Sequence, residues 1–361
     1  MSDGLADAWQ ESVTALLDPR SPLRRSFADL PRSAHLSPAG LDAGLRCLAR
    51  GVRAQVFAAL QEHPTAPPDG LDVVILPGNL PALFLQQLAR SLAARRSVLL
   101  KPASNDCGLA QAFVADLIER LPELGSRLEC RRWKGGDRAI EESIFGAADR
   151  VIAYGDSPAL ADLARRAARK LVRHGPKTSL AVASGAPSPT LADALARDVA
   201  LFDQRGCLSL SLLLAPVEHL AAWGDALHQA LRRIALTLPP GAPLPAEALA
   251  VHQHRAEAAM RGARVLSLDG VADGTVVVDA AGPPRPLPLL RTLQVLALED
   301  SAQRWNGFAN SGRAWQGLAL VGEVSADLRR DLMEATGVSR VAPAGELQDA
   351  DATWDDGETE P

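Results

Sequence analysis

The chain has 361 residues, 47 % hydrophobic and 22 % charged, with a formal net charge of −5. That length suits two or three domains with sizeable cores, and the acidic balance lacks the footprint of a nucleic-acid binder. The four cysteines, Cys47, Cys107, Cys130 and Cys207, form no CxxC pair and no Cys/His set at zinc-ligand spacing, so neither a metal site nor a disulfide framework is expected. The N-terminus has no basic patch ahead of an apolar stretch, and no apolar run nears the roughly 20 residues of a membrane span. A reduced, cytoplasmic protein is expected.

Residues 1–66 read as helical. Leu41, Leu45, Leu48, Val52, Val56 and Leu60 recur at helical spacing, the pattern of a packing helix over 41–60. The stretch 63–70, His-Pro-Thr-Ala-Pro-Pro-Asp-Gly, is a breaker. Short apolar runs then alternate with helical patterns. Residues 71–76 form a strand ending in the turn Pro77-Gly78-Asn79, and Leu85, Leu88 and Leu92 mark a helix. Val98, Leu99 and Leu100 form a second strand ending at Lys101-Pro102, followed by a helix over about 107–120. Residues 151–154 form a strand ending at Gly155. A helix follows with Ser157 as N-cap and Pro158 at its first position, and residues 178–183 form another strand.

A second αβ stretch begins near residue 207. It comprises an apolar run over 208–215, a helix to about Leu236, a Pro-rich loop over 238–245, and strands at 275–278, 293–297 and 318–321. A helix capped by Ser325 and stopped by Gly337 comes next. From Glu346 the chain is acidic and polar, the composition of a poorly ordered tail. Strands alternating with helices imply βαβ units and a parallel sheet. Ligands on such sheets bind beyond the carboxyl ends of the strands, where Asn79, Lys101 and Gly155 stand. Glu218-His219 and the pair His252 and His254 have no partner motif and read as surface groups.

Among the thiols Cys207 differs in place. It follows Phe202-Asp203-Gln204-Arg205-Gly206 and precedes an apolar strand. The junction suits either a thiol exposed in a cleft or a small buried hydrophobe.

Three segments then occur in the order and at about the separations of the aldehyde dehydrogenase superfamily: Pro77-Gly78-Asn79-Leu80-Pro81, Leu100-Lys101-Pro102-Ala103-Ser104, and Phe202-Asp203-Gln204-Arg205-Gly206-Cys207. Residues 151–157 look like the strand and glycine turn facing the nicotinamide, and His174-Gly175-Pro176-Lys177 like the superfamily's Gly-Gly-Lys turn. The Pro-Gly-Asn-x-Pro and Phe-Asp-Gln-x-x-Cys forms resemble the acyl-CoA reductase family of LuxC type. So do Ser339-Arg340-Val341-Ala342-Pro343 with Gly345, and Trp354 with Asp356-Gly357. The resemblance spans roughly 70–357. It departs at Leu208-Ser209-Leu210-Ser211, where the family usually has Ser-Pro-Gln, and at Asp355-Asp356-Gly357, where it usually has His-Asp-Gly.

The resemblance implies an α/β, aldehyde dehydrogenase-like fold with a parallel-sheet cofactor-binding domain and an αβα catalytic domain. Its segments would be an N-terminal helical segment (1–66), an NADP-binding domain (67–205), a catalytic domain (206–330) and a C-terminal segment with an acidic tail (331–361). Cys207 would be the nucleophile and Asn79 an oxyanion-hole donor beside the Cys207 N–H. Lys101, Ser104, Gly155, Asp156 and Gly175 would bind the cofactor. Serine at 104, where NAD-preferring members often place glutamate, favours NADPH, with Arg131, Arg132 and Lys134 able to add positive charge.

Arg173-His174-Gly175-Pro176 stands where hydrolytic members carry a glutamate base, so the resemblance implies reduction of an acyl thioester to an aldehyde. His174 could serve as an acid or base, or be a structural turn residue. The implied donor is acyl-CoA or an acyl carrier protein, with a partner that transfers or ligates the acyl group, and a homo-oligomer is compatible. Two alternatives remain: a CoA-acylating aldehyde dehydrogenase, and a degenerate, non-catalytic subunit of a biosynthetic complex.

Overall fold

The structure is a computed structural model that describes residues 2–167, 170–298 and 314–355. Asp356 and Gly357 of the expected C-terminal motif lie outside the described residues. The chain divides into two compact units. The first holds Met1–Ala34, Gly44–Pro176 and Asp349–Pro361; the second holds His35–Ala43 and Lys177–Gln348.

Five helices come first: α1 (Ser2–Leu17), α2 (Pro22–Arg25), α3 (Leu30–Ser33), α4 (Pro38–Arg50) and α5 (Ala54–Glu62). The expected single helix over 41–60 is two helices. It breaks at Gly51, whose carbonyl accepts a hydrogen bond from Ala352 N–H (2.8 Å). A Cβ at Gly51 would stand 2.7 Å from the Ala350 carbonyl oxygen, so the close passage of the C-terminal backbone requires glycine there. Trp9 of α1 anchors this layer. Its ring stacks on Phe57 at 5.2 Å and meets Phe113 edge-on at 5.6 Å, and its indole N–H donates to the Val52 carbonyl (2.8 Å).

The rest of the first unit alternates β1 (Leu71–Ile75), α6 (Phe84–Ala93), β2 (Ser97–Lys101), α7 (Leu109–Arg120), β3 (Leu128–Cys130), α8 (Arg138–Ala147), β4 (Arg150–Tyr154), α9 (Ser157–Ala167) and β5 (Leu171–His174). All five strands are parallel, in the order β3-β2-β1-β4-β5. The chain runs from β1 outward to β3 and then returns to the other side of β1, so the order reverses between β1 and β4. Val73, Leu99 and Val151 meet Ile144 and Phe145 of α8 and Leu160 and Leu163 of α9. The α9 cap is Asp156 rather than Ser157: its Oδ1 accepts the Ala159 N–H (2.9 Å), and Ser157 is already helical.

In the middle of this sheet sits a carboxylate. Asp72, fully buried on β1, accepts hydrogen bonds from Ser91 Oγ (2.7 Å), Arg96 Nε (2.7 Å) and both Nε and Nη2 of Arg150 (2.9 and 2.7 Å). Burial alone would raise its pKa. The bonds and charge of Arg150, with Ser91 and Arg96, outweigh it and hold the group below its ordinary value of 3.8.

The second unit contains β6 (Thr178–Ala183), α10 (Pro189–Ala200), β7 (Leu210–Ala215), α11 (Leu220–Thr237), α12 (Pro245–Met260), β8 (Arg264–Ser267), β9 (Thr275–Val278), β10 (Thr292–Ala297), β11 (Trp315–Val321), α13 (Ala326–Thr336) and β12 (Arg340–Pro343). Its seven-stranded sheet runs β12-β11-β6-β7-β10-β9-β8, parallel except where β8 meets β9. Every residue of β7 and β10 is buried, as expected of central parallel strands covered on both faces. Ser325 and Gly337 cap α13 as expected, with Gly337 at φ 66°.

Two further expectations fail. The segment from Glu346 is no loose tail as far as residue 355. Leu347 is fully buried, Asp198 accepts the N–H groups of Gly345 and Leu347 (2.6 and 3.2 Å), and Arg90 donates to the carbonyls of Ala352 and Trp354 (2.8 and 2.5 Å). Its acidity concealed a segment held by backbone hydrogen bonds. His252 is exposed, but His254 is buried on α12, where burial first and Arg261 second push its pKa below the usual histidine value.

Asp72→Asn would leave two guanidinium groups short of their anion, and a loss of about 3–5 kcal/mol in chemical denaturation is expected. Because the folded pKa of Asp72 is depressed, its contribution is complete above about pH 4 and fades as the pH falls through the lower folded value. A pH series comparing wild type with Asp72→Asn should show the two converge in acid.

Candidate active site

In a parallel sheet all carboxyl ends lie along one edge. The first unit therefore lines up the turns after Ile75, Lys101, Cys130, Tyr154 and His174. Of the expected cofactor residues and the expected oxyanion donor, Asn79, Lys101, Ser104, Gly155, Asp156 and Gly175 all lie in these turns or at these strand ends. Asn79 and Ser104 are exposed; Lys101, Gly155 and Gly175 are half-buried. The turns after β1 and β2 are tied together, since Asn105 Nδ2 donates to the Gly78 carbonyl (2.8 Å) and a side chain on Gly78 would collide with Asn105. Folds of this kind bind ligands beyond the strand ends where the strand order reverses, and Asn79 and Gly155 follow the two strands, β1 and β4, that flank the reversal.

Burial lowers the pKa of Lys101, whose Nζ lies 5.5 Å from the centre of the Trp133 ring. Arg131 stands over the same ring at 5.8 Å. Arg132 is instead engaged with Asp106, through that residue's carbonyl and an ion pair at 3.6 Å. At the ends of β4 and β5, Tyr154 and His174 stack at 4.2 Å with an interplanar angle of 13°. His174 is thus the last residue of a strand rather than part of a turn. Asp156 faces solvent while its carboxylate caps α9, so it shapes the Gly155 turn.

The four thiols separate by environment. Cys47 is buried, with Sγ donating to Asp349 Oδ1 (3.4 Å). Cys130 lies at the end of β3, where burial, then the Asp106 charge, pushes its pKa up to about 12, so it holds its proton at neutral pH. Cys107 is exposed before α7 and donates to Ser33 Oγ (3.0 Å). Cys207, half-exposed in the second unit, ends a loop built unlike anything around the other three.

In that loop Phe202, Asp203 and Gln204 have φ of 56°, 49° and 64°, a left-handed run without glycine. Leu290 and Arg291, just before β10, are left-handed too (66° and 57°). Five of the nine such residues among those described fall in these two turns, and strain of about 1–3 kcal/mol per residue persists only where surrounding contacts over-determine it. The contacts are visible. Arg291, fully buried, donates through Nε and Nη2 to Asp203 Oδ1 (3.0 and 2.6 Å), and Gly241 N–H donates to Asp203 Oδ2 (2.8 Å). The Gln204 amide pairs with Thr292 as a strand would, accepting its N–H (2.8 Å) and donating to its carbonyl (2.6 Å); it also donates to the Leu210 carbonyl (2.7 Å). Arg205 binds both carboxylate oxygens of Glu247 at the start of α12 (3.1 and 2.9 Å).

The backbone at Cys207 is equally fixed. Gly206 N–H donates to Ser209 Oγ (3.1 Å), Ser209 N–H donates to the Gly206 carbonyl (3.0 Å), and Ser179 Oγ donates to the Cys207 carbonyl (3.1 Å). Ser211, in the segment that departs from the family pattern, bonds Thr178 Oγ1 (2.7 Å) and the Ser179 carbonyl (3.2 Å). The arrangement offers a thiol held at a defined place beside a rigid backbone, the requirement for a nucleophile that forms a covalent intermediate. Sequence reasoning missed the partners of this loop: Arg291, Ser179, and Gln348, whose Nε2 donates to Ser209 Oγ (3.0 Å). A buried arginine 84 positions beyond the cysteine leaves no local pattern, because only the fold pairs it with Asp203. Among the described residues no group of three or more His, Cys, Asp or Glu side chains could hold a metal ion, and no helix is long and apolar enough to cross a membrane.

Comparison with known proteins agrees with the motifs. A family described as acyl-CoA reductase (LuxC) matches residues 59–359. The chain is 25 % identical over 287 residues to a long-chain acyl-protein thioester reductase of Aliivibrio fischeri, covering 78 % of this chain but only 59 % of that protein's length. Among solved structures it is similar to aldehyde dehydrogenase 21 of Physcomitrella patens, with a TM-score of 0.75 and 16 % identity over 95 % of this chain and 78 % of the other. It is also similar to an NAD-dependent benzaldehyde dehydrogenase of Corynebacterium glutamicum, with a TM-score of 0.73 and 14 % identity over 96 % and 82 %. These likenesses show the expected aldehyde dehydrogenase-like α/β fold.

Asp203→Asn would remove the anion that Arg291 needs. A stability loss of about 3–5 kcal/mol is expected, together with faster amide hydrogen exchange over residues 201–210, read by mass spectrometry.

Proposed function

The chain belongs to the acyl-CoA reductase (LuxC) family, and from that premise we propose that it reduces a fatty acyl thioester to the aldehyde, with Cys207 carrying the acyl group and NADPH as reductant. The observation that carries this reading is the clasped, left-handed loop that presents Cys207, set against the raised pKa of Cys130 and the burial of Cys47. The name of the Aliivibrio fischeri relative supports an acyl thioester as substrate. Coenzyme A and an acyl carrier protein are both donors of that chemistry.

In this mechanism the Cys207 thiolate adds to the thioester carbonyl carbon. The C–S bond to the donor breaks, and the donor leaves as a thiol after taking up a proton. When bound, NADPH supplies the two electrons and the hydrogen that reduce the acyl carbon. The hemithioacetal on Cys207 then collapses: its C–S bond breaks, the aldehyde leaves, and the thiolate is restored. Both additions develop an oxyanion. The Cys207 N–H is assigned as one donor and the Asn79 amide as the other. Support for Asn79 comes from the superfamily resemblance and from its place in the tied turn after β1.

The residues on the sheet edge fit a phosphorylated dinucleotide. Lys101 is a partly desolvated ammonium, for which an anionic ligand replaces lost hydration, and the Ser104 hydroxyl is exposed nearby in sequence. Lys101 and Ser104 are assigned to the ribose and its 2′-phosphate, with Gly155 and Gly175 allowing close approach at the ends of β4 and β5. The end of β5 carries Arg173 and His174 where, by the superfamily resemblance, hydrolytic members carry a glutamate base, which favours reduction of the acyl-enzyme over its hydrolysis.

Purified protein given NADPH and a panel of acyl-CoA and acyl-carrier-protein thioesters should yield aldehydes by mass spectrometry, and Cys207→Ala should abolish both turnover and acyl labelling. If the wild-type protein acquires no acyl group on Cys207 from any of these thioesters, the reading is wrong. Lys101→Gln should raise the KM for NADPH by about 10- to 100-fold, the loss of one charge-assisted contact, with a smaller change in kcat.

A further inference from the structure

We propose that Ser209 and Gln348 are positioning residues for acyl transfer: together they aim the backbone N–H of Cys207, and Gln348 brings the C-terminal segment into the cysteine loop. This rests on the acyl-enzyme reading above and names residues to which the motifs assign no part.

The argument begins with the peptide unit between Gly206 and Cys207. There are no cis peptide bonds among the described residues, so the carbonyl and N–H of this unit point in opposite directions. Its carbonyl is held by the Ser209 N–H at 3.0 Å. That bond, together with the hold of Ser209 Oγ on the preceding peptide unit, sets the heading of the Cys207 N–H, directed away from Ser209. The preceding peptide unit is held by the same residue, because the Gly206 N–H donates to Ser209 Oγ (3.1 Å). Ser209 is therefore a pivot gripping both sides of Gly206, and it is 1 % exposed.

Gln348 holds the pivot. Its Nε2 donates to Ser209 Oγ (3.0 Å) and lies 3.2 and 3.5 Å from the carbonyls of Asp198 and Leu201. It thus bridges the residues entering the cysteine loop and those leaving it. Gln348 is in turn placed by its neighbours. The Asp198 carboxylate accepts the N–H groups of Gly345 and Leu347 (2.6 and 3.2 Å), and Arg340 donates to the carbonyls of Leu347 and Glu346 (2.7 and 2.8 Å). A fixed donor stabilises an oxyanion most when no reorientation is needed as charge develops. Neither Ser209 nor Gln348 is proposed to touch the substrate; each acts through the peptide of Cys207.

The two reactions of a cysteine separate this role from general support of the loop. Attack on a thioester passes through an oxyanion. Alkylation by iodoacetamide does not: the S–C bond forms as the C–I bond breaks and iodide leaves. Ser209→Ala and Gln348→Met, the latter keeping volume without a donor, should slow single-turnover acylation of Cys207 by a long-chain acyl-CoA about tenfold or more. Alkylation by iodoacetamide should stay within about twofold of wild type, and Ser209→Thr, which keeps the hydroxyl, should restore acylation. Equal losses in both reactions would mean that the residues merely keep the thiol accessible, and no loss in either would mean that the N–H needs no such support; each overturns the proposal. A wild-type protein that alkylates but never acylates would instead sink the enzymatic reading, and this assignment with it.

Discussion

The buried ion pair between Asp203 and Arg291 is the constraint on which the presentation of Cys207 depends. Three consecutive non-glycine residues in the left-handed region would not stay there by preference. An aspartate tolerates that backbone better than most, but Phe202 and Gln204 do not. They are held because Phe202 is buried, because Gln204 pairs with the backbone of Thr292, and because Asp203 receives two bonds from a guanidinium that is itself wholly buried. A buried ion pair is weak evidence of net stability, since desolvation offsets much of the attraction. Its effect here is conformational. With Arg291 in place, any other path for residues 202–204 leaves a buried charge unmatched.

The first unit uses the same device for another purpose. Asp72 is enclosed by Arg96 and Arg150 in the middle of a parallel sheet, and Arg96 also binds the carbonyls of Pro67 and Asp69 at the entry to β1. The composition suits this. Lys and Arg together number 38, yet only four are lysine. Arginine presents a planar fork that satisfies both oxygens of a buried carboxylate, whereas an ammonium is a point charge that resists dehydration. A chain that builds its units around buried carboxylates therefore has reason to choose arginine. Lys101, one of the few lysines, stands apart: it is half-buried at a strand end, with its ammonium over the Trp133 ring.

The stretch after the cysteine, where this chain departs from its family's usual residues, is not idle. Ser209 grips both sides of Gly206, and Ser211 ties β7 to β6 through Thr178 and Ser179. The C-terminal segment joins the same assembly through Gln348. The departure thus falls in the backbone support of the loop.

The sequence by itself determined the alternation of strands and helices, the parallel sheet, the ordered motifs and the family, because hydrophobic periodicity and turn chemistry are local properties. It singled out Cys207 by its neighbours. Its errors were also local. The 41–60 pattern continues through Gly51, and nothing nearby reveals that the backbone at Ala350 and Ala352 crosses there. The acidity after Glu346 looked like a solvated tail, although Leu347 is buried and the backbone around it is bonded to Asp198. Only the tertiary structure decided what surrounds the thiol: Arg291 on Asp203, Thr292 on Gln204, Ser179 on the Cys207 carbonyl and Gln348 on Ser209. Those partners lie 28 to 139 positions apart, and a hydrogen bond across such a distance has no signature in the residues around either end.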